Sequence, residues 1–151
     1  MRATLYALLL LPLLFSTASA AEDIGMPTAA ERAYEAYSRN TEFTLGHLKL
    51  STTSARFTVL SGTMRLEAAG TMPPSDSFET GGARVFRVLN ADEFFKTNAG
   101  KNGFCGEPVR WLGVRSIGKG EIRVTFLTLD DFRAYRSDGP GLCSGDSYAL
   151  K

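Results

Sequence analysis

The sequence contains little of what most catalytic and metal sites require. Among its 151 residues there are two cysteines and one histidine, His47. The motifs H-E-x-x-H, G-x-S-x-G and G-x-x-x-x-G-K-[ST] are all absent. Imidazole-based catalysis or a multi-histidine metal site would have to depend on His47, and no motif supplies its partners. We therefore expect no cofactor and no metal, and we interpret His47 as a surface or half-buried side chain with a hydrogen-bond partner.

The chain also lacks an excess of charge of either sign. It carries 17 basic and 16 acidic residues. Removing residues 1–20 takes away one basic residue, Arg2, and no acidic residue, so 16 of each remain. Proteins that capture nucleic acid or anionic lipid electrostatically have a clear basic excess. A formally neutral domain is therefore not expected to bind nucleic acid.

Long hydrophobic runs are missing except at the amino terminus. Leu5 to Phe15 is apolar apart from Pro12, which is shorter than the ~20 residues of a membrane-spanning helix. Arg2 precedes this run, and Ala18-Ser19-Ala20 follows it as a small-residue cleavage pattern. We predict a signal peptide over residues 1–20, cleaved after Ala20, and a single periplasmic or secreted domain over residues 21–151 with no membrane span. Ala21 stands where a lipoprotein would need a cysteine.

The two cysteines, Cys105 and Cys143, are expected to form a disulfide, because pairing is the default in an exported protein. Neither belongs to a C-x-x-C motif, and no histidine lies near either in sequence. Closing a loop of about 39 residues would stabilise the domain by roughly 4 kcal/mol in the loop-entropy model. The disulfide is therefore interpreted as structural rather than as a redox or metal site.

The amino-terminal half of the mature chain predicts a helix followed by strands. Thr28 and Glu31 have the spacing of a capping box, and small and aromatic residues follow at helical intervals as far as Tyr37. We predict a helix from Thr28 to about Asn40. From Thr41 the apolar period changes to two, which indicates a strand, and Gly46 interrupts that strand with a bulge or a chain reversal.

Two hairpins are predicted from turn residues and matching registers. With a turn at Ser61-Gly62, one face of the first hairpin carries the pairs Val59–Met64, Phe57–Leu66 and Ala55–Ala68. With a loop at Gly118-Lys119-Gly120, the second pairs Leu112 with Phe126, Val114 with Val124 and Ser116 with Ile122. Its other face then carries Arg115 opposite Arg123. Each hairpin is expected to cover a core on one side only.

The remaining segments complete the predicted fold. We expect a loop from Gly70 to Gly82, a strand over Arg84–Leu89, and a short helix from Asn90 to about Thr97. A helical turn is expected around Phe132, and a short strand over Ser147–Leu150 closes the domain. The sequence thus predicts a single α+β domain, with an amino-terminal helix packed on a mainly antiparallel β-sheet and one disulfide.

The candidate binding surface comprises Arg115, Arg123, Trp111 and Phe104. Two guanidinium groups on one exposed face could hold a carboxylate or a phosphate. The alternative is a solvated cluster in which Glu121 lies between the two arginines, and exposed ion pairs of that kind contribute little. Phe104 and Trp111 are expected to be core side chains or, if exposed beside Cys105, an aromatic contact surface for a partner.

Three functions follow from these observations. The first is a non-catalytic binding module of the inhibitor or immunity type, which would bind another envelope or secreted protein through the rigid loops near the disulfide. The alternative is a small-ligand carrier with an apolar cavity between sheet and helix. The third is an envelope hydrolase that uses carboxylates such as those of Asp92-Glu93 or Asp130-Asp131, although adjacent carboxylates do not by themselves indicate a cleft.

Overall fold

A computed structural model describes residues 24–74, 82–101 and 104–151, so the predicted signal peptide lies outside the described residues. The described chain forms eight strands, two α-helices and one turn of 3₁₀-helix. The strands are β1 Arg32–Ala36, β2 Leu48–Leu50, β3 Ser54–Phe57, β4 Met64–Met72, β5 Ala83–Val88, β6 Trp111–Gly118, β7 Glu121–Leu127 and β8 Leu142–Leu150. The helices are α1 Arg39–Thr44 and α2 Ala91–Asn98, and the 3₁₀ turn is Phe132–Ala134.

The eight strands form a closed barrel in which each strand pairs antiparallel with the next along the chain. The barrel closes because β8 also pairs with β1, with Glu35 opposite Ala149. This topology contradicts the predicted α+β fold, in which one helix was expected to cover one face of an open sheet. Closure removes the two outer edges that such a sheet would have exposed.

The predicted amino-terminal helix is wrong. Residues 32–36 form β1, which pairs with both β2 and β8. The Thr28 hydroxyl donates to the Ala30 carbonyl, and Glu31 pairs with Arg56 of β3, so neither side chain acts as a helix cap. A helix of this length is marginal in isolation. Strands β2 and β8 each pair with three of these five residues, and the strand conformation buries Tyr34 inside the barrel.

The first strand expected after that helix is also replaced, because residues 39–44 form α1. The Ser38 hydroxyl accepts a hydrogen bond from the Thr41 backbone N–H at 3.1 Å and so caps the helix. Gly46 follows with a φ of 75°, and this left-handed backbone lets the chain turn sharply into β2. The disturbance predicted at Gly46 is therefore the junction between α1 and β2.

The register predicted for the first hairpin is wrong by four residues. Its predicted inner face is right only in part, because Ala55, Phe57, Met64 and Leu66 are buried whereas Val59 and Ala68 are exposed. Met64 lies opposite Ala55 rather than Val59. The turn is longer than two residues, and Val59 is exposed in it. Because strand side chains alternate with a period of two, a shift of four residues leaves Phe57 and Leu66 on the inner face. Arg56 meets Lys49 of β2 rather than Glu67.

The second hairpin is confirmed. Leu112 lies opposite Phe126, Val114 opposite Val124 and Arg115 opposite Arg123. Its turn is tighter than expected, since β6 extends to Gly118, which lies opposite Glu121 and leaves only Lys119 and Gly120 between the strands. Gly120 has a φ of 77° and supplies the left-handed position that a tight hairpin requires.

The disulfide and several shorter elements are also confirmed. Cys105 and Cys143 are bonded, with their Cα atoms 5.5 Å apart. Strand β5, helix α2, the helical turn at Phe132 and the closing strand all form, although β8 begins earlier, at Leu142. Asn90 precedes α2 as predicted, but its side chain bonds the Arg65 N–H and the Thr63 carbonyl instead of capping the helix.

The barrel interior is filled by side chains from every strand. Its largest fully buried members are Tyr34, Leu48, Leu50, Met64, Leu112, Val114, Ile122, Val124, Phe126 and Tyr148. At one end the residues before β1 cross the opening, where Met26 is buried and the Gly25 carbonyl accepts from the Tyr34 hydroxyl at 2.9 Å. Neither described helix is long and apolar enough to cross a membrane.

Candidate functional site

Trp111 lies on the outer face of β6 and anchors the connection between β7 and β8. Its indole N–H donates to the Leu129 carbonyl at 2.8 Å, and its ring lies 5.1 Å from that of Phe132 in an edge-to-face arrangement. The side chain is half-buried. Trp111 therefore holds a loop in place and presents only part of its ring to solvent.

The two arginines predicted to share an exposed face differ in burial. Arg115 and Arg123 are register partners on the outer side of β6 and β7, as expected. Arg123 is exposed, whereas Arg115 is only 4% exposed. They do not form a fully solvated pair, and the outer face of this hairpin is partly covered.

Phe104 lies away from the other three candidate residues. Its ring is 5.7 Å from that of Phe94 on α2, and its partly buried side chain packs against the barrel core. Trp111 instead belongs to a second apolar cluster, with Phe132 and Leu127, on the outside of the barrel. The structure therefore separates the predicted surface into two regions.

Residues 128–141, which connect β7 to β8 and which we term the strap, run across the outside of the barrel. The Thr128 N–H donates to the Gly141 carbonyl at 2.9 Å and closes the base of the strap. Phe132 is buried, and the Asp131 carboxylate accepts from the Arg133 N–H at 2.9 Å to cap the 3₁₀ turn. The disulfide at Cys143 follows directly. The strap is thus pinned at its base, its middle and its end.

Small residues on the strands let the strap and its neighbours lie close to the barrel. A single row across the sheet consists of register partners in five strands, namely Gly70, Val85, Gly113, Thr125 and Gly145. A Cβ atom on Gly113 would stand 2.9 Å from the Met72 methyl group, and one on Gly70 would stand 3.6 Å from the Phe132 ring. Gly113 therefore makes room for the Met72 side chain, whereas a Cβ atom at Gly70 would meet the Phe132 ring at an ordinary contact distance.

A groove of about 470 Å³ lies between the strap and the end of β4. Met72 and Pro73 form one wall, and Phe132 and Tyr135 form the other. The complete lining is Thr71, Met72, Pro73, Pro74, Phe132, Arg133, Tyr135, Arg136, Ser137 and Asp138. We refer to it below as the strap groove. It combines apolar and aromatic walls with a polar rim.

Two arginines stand at the rim of the strap groove. The Arg133 guanidinium lies 4.8 Å from the centre of the Phe132 ring. Arg136 donates through Nη1 to the Tyr135 carbonyl at 2.7 Å and to the Arg133 carbonyl at 3.2 Å. Both residues are exposed, and Asp138 is the acidic residue of the lining. Arg133 Nη1 also lies 3.4 Å from Asp131 Oδ1, so the rim carries charges of both signs.

The sequence of the strap itself contains a signal for this site. The strap is rich in turn-forming residues, as the sequence predicts, yet it also carries Phe132 and Tyr135 three positions apart. Aromatic residues in a loop of glycine, proline and aspartate indicate a loop that packs on something. Which strands they would cover depended on the barrel topology, and the sequence predicted an open sheet.

A second pocket, of about 480 Å³, lies at the barrel mouth crossed by residues 24–28. Arg32 donates through Nη1 to the Ile24 and Met26 carbonyls at 2.7 and 3.0 Å. Arg84 donates through Nη1 to the Pro27 carbonyl at 3.2 Å. These contacts hold the amino-terminal segment over the mouth, so both arginines have a structural role.

The barrel buries several polar groups, among them the carboxylate of Asp146 and the phenols of Tyr34 and Tyr148. Asp146 accepts hydrogen bonds at 2.8 Å from the hydroxyls of Thr41 and Ser144, which ties α1 to β8. Burial raises the pKa of Tyr148, and the nearby Asp146 carboxylate raises it further. Burial also raises the pKa of Tyr34, although Arg32 opposes the shift. Both phenols therefore remain protonated well above neutral pH.

His47 is exposed, and its Nδ1 accepts a hydrogen bond from the Ala36 N–H at 3.4 Å. This placement agrees with the surface or half-buried position and the hydrogen-bond partner expected from the sequence. In the described parts of the chain, no three histidine, cysteine, aspartate or glutamate side chains are grouped so as to hold a metal ion. The side chain of Asp130, one of the carboxylates considered for catalysis, is 98% exposed.

The strap groove is the described surface feature that best suits a partner. It has apolar walls, a charged rim and a pinned loop on one side, whereas the polar contacts at the barrel mouth are already made within the chain. No protein-family model, no curated protein and no solved structure matches the chain.

Proposed function

We propose that the chain is an exported, non-catalytic binding module of the inhibitor or immunity type, which binds another envelope or secreted protein through the strap groove. The observation that carries this proposal is the groove itself, with Phe132 and Tyr135 on one wall and Met72 and Pro73 on the other. Binding surfaces typically combine such an apolar centre with a polar rim and are enriched in Tyr, Trp, Met and Arg.

The way in which the strap is held supports the proposal. The loop is anchored by the Trp111 indole, by the buried Phe132 ring and by the disulfide at Cys143. A loop ordered before binding loses less conformational entropy when the partner arrives. The strap therefore presents its arginines and Tyr135 at low entropic cost.

The barrel interior favours surface binding over carriage of a small ligand, the alternative suggested by the sequence. An eight-stranded barrel is wide enough either to be filled by side chains or to hold one small molecule. Here Tyr34, Phe126 and Tyr148 lie inside it among aliphatic side chains and are at most 1% exposed. Binding a partner on the outer surface requires no change in this packing.

The test uses the full mature chain, residues 21–151, with its disulfide formed. The immobilised protein is incubated with envelope extract of the source organism, and a recovered partner is purified and titrated against it. The groove variant combines Tyr135→Ala with Arg136→Ala. A matched control combines Tyr37→Ala with Arg39→Ala, which removes an exposed tyrosine and an exposed arginine near α1.

The dissociation constant is expected to rise by roughly tenfold or more in the groove variant, because central aromatic and arginine side chains dominate interface energies. The control variant should bind like the wild type. The proposal fails if no specific partner is recovered, or if the groove variant and the control bind equally well. Circular dichroism of both variants verifies that the barrel is retained.

A further inference from the structure

The shortest junction of the barrel, which we call the seam, lies between β3 and β4. Only Ser54–Arg65 and Ala55–Met64 are register partners there. On its other side β4 pairs with β5 from Leu66 to Met72. Strand β4 therefore continues beyond the end of β3, and the loop predicted from Gly70 begins only after Met72.

Two hydrogen bonds fix the direction in which the backbone of β4 points. The Leu66 N–H donates to the Thr53 carbonyl at 2.8 Å, on the β3 side. The Leu89 N–H donates to the Arg65 carbonyl at 2.8 Å, on the β5 side. Because these directions alternate along an antiparallel strand, the N–H and C=O of Ala68 point away from β5.

A bulge then moves the alternation by one residue. The register shifts between Ala68 and Gly70, after which Gly70 lies opposite Val85 and Met72 opposite Ala83. The backbone of Gly70 and of Met72 consequently faces β5, and that of Thr71 faces outward. Thr71 is therefore the second residue of β4, after Ala68, with an outward-facing N–H and C=O.

This stretch of edge is open to solvent. Ala68, Gly70 and Thr71 are exposed. Within the described residues no strand pairs with β4 on this side beyond Arg65, and no backbone hydrogen bond reaches it beyond Leu66. Proteins commonly protect edges with charged residues, lysine above all, or with proline. Here four uncharged residues, 68–71, precede the first proline, Pro73.

The open edge and the strap groove are formed by the same strand. Thr71 and Met72 of β4 line the groove, and Ala69 packs against the outer apolar cluster that includes Phe132. A strand added alongside β4 would place every second side chain on the outer face of the sheet. One of those side chains would then lie at the groove.

From this arrangement we propose that the open edge of β4, residues 67–72, binds an extended segment of a partner protein by β-strand addition, with an aromatic or aliphatic side chain of that segment in the strap groove. The proposal rests on the proposed function, since it states how that groove is used. Main-chain hydrogen bonds supply affinity in such complexes, and side-chain pockets supply specificity.

A second copy of the chain is a poorer occupant of the same edge. If two β4 edges paired with each other, each would offer the side chains of Ala68, Ala69, Gly70 and Thr71. None of these is large enough to fill a groove of about 470 Å³. The groove calls for a large apolar side chain, which neither of two paired β4 edges supplies, and this favours a segment of a different protein.

Amide hydrogen exchange of the free mature chain tests the open edge directly. The amides of Ala68 and Thr71 are expected to exchange at near-unprotected rates, while those of Glu67 and Met72, which face Arg87 and Ala83, are slower. Equal protection at all four positions would show that the edge is already covered and would overturn the proposal.

Binding is tested with phage-displayed random octapeptides selected on the disulfide-bonded mature chain. Selected peptides are expected to alternate apolar with other residues and to protect the amides of Ala68 and Thr71 when bound. Two edge variants, Ala68→Pro and Thr71→Lys, should each weaken binding by roughly tenfold, because each removes or blocks strand hydrogen bonds. The controls are Ala30→Pro and Thr97→Lys, both at exposed positions outside β4.

The outcomes separate this proposal from the proposed function. If the Tyr135→Ala/Arg136→Ala variant loses binding while Ala68→Pro and Thr71→Lys retain it, the groove binds a partner without strand addition, and only the edge proposal is overturned. If neither set of variants changes binding, both fail. A different outcome is that sedimentation of the wild type shows dimers whose fraction rises with concentration and which the Thr71→Lys variant does not form. That result would identify a second copy as the occupant and would overturn the proposal that a different protein adds the strand. The thermal unfolding of each variant verifies its fold.

Discussion

The two sides of the barrel differ in how strongly their strands are tied together. On the long side, which we call the wall, β6, β7 and β8 pair over seven register positions at each junction. On the opposite side β3 and β4 share only two. The wall is further braced by the strap and the disulfide, whereas the seam leaves part of β4 open. The rigid side thus supports the proposed site, and the incomplete side supplies its hydrogen-bonding groups.

The largest expected loss of stability comes from opening a cavity in the part of the core that the wall encloses. Phe126→Ala removes a ring that is 1% exposed and lies 5.5 Å from the ring of Phe57. The free energy of unfolding should fall by about 3–5 kcal/mol. Val59→Ala, at a position 39% exposed beyond the seam, should change it by no more than about 0.5 kcal/mol. Urea unfolding measures both, and similar losses would contradict the contrast.

The disulfide should contribute nearly as much on the same side. Replacing Cys105 and Cys143 with serine should lower the free energy of unfolding by up to about 4 kcal/mol, because the unfolded chain is no longer closed into a loop. Urea unfolding in the presence of a reductant should lower the wild type to the level of the variant and leave the variant unchanged. If complete reduction of the disulfide left the free energy of unfolding of the wild type unchanged, the disulfide would not stabilise the fold.

Alkaline pH tests a buried phenol in the wall. Burial raises the pKa of Tyr148 in the folded state above its ordinary value of 10.0. The folded state therefore holds this proton more tightly than the unfolded state, so its stabilising effect is full below pH 10 and is lost as the pH rises above it. Tyr148→Phe should flatten that alkaline decline in urea unfolding at a series of pH values. An unchanged slope would contradict the assignment to Tyr148.

The smallest effect is expected at the exposed ion pair on the seam side. Glu31 and Arg56 lie 2.8 Å apart, with side chains 35% and 48% exposed. Solvent screening keeps such pairs at about 0–1 kcal/mol. Glu31→Gln should therefore change the free energy of unfolding by less than about 1 kcal/mol, and the change should shrink in high salt. A larger loss would show that this ion pair contributes substantially to the stability of the seam side.

The sequence was sufficient where one local interaction decided the outcome. The second hairpin could be predicted because Gly120 permits a tight turn and the alternation on both strands agrees with a single register. The disulfide followed from the presence of only two cysteines in a chain that the sequence predicts to be exported. The short helix after Asn90 followed from local spacing, although its predicted cap is used elsewhere.

The candidate site could be predicted only in part. Trp111, Arg115 and Arg123 do lie on the outer face of their hairpin, as the alternation implies. Phe104 was grouped with them because it adjoins Cys105 in sequence, but it packs on Phe94 of α2. The strap groove was missed because its two walls come from distant segments, at Met72 and Phe132.

The sequence by itself determined the alternating faces and the register of the second hairpin and the pairing of the cysteines, because each depends on neighbours in the chain or on a single possible partner. The tertiary structure alone decided that residues 32–36 form a strand, since their ladder partners in β8 lie at the other end of the chain. It likewise decided the barrel, the strap groove and the open edge of β4. All three depend on which distant strands pair and on how far each pairing extends, which local propensity does not encode.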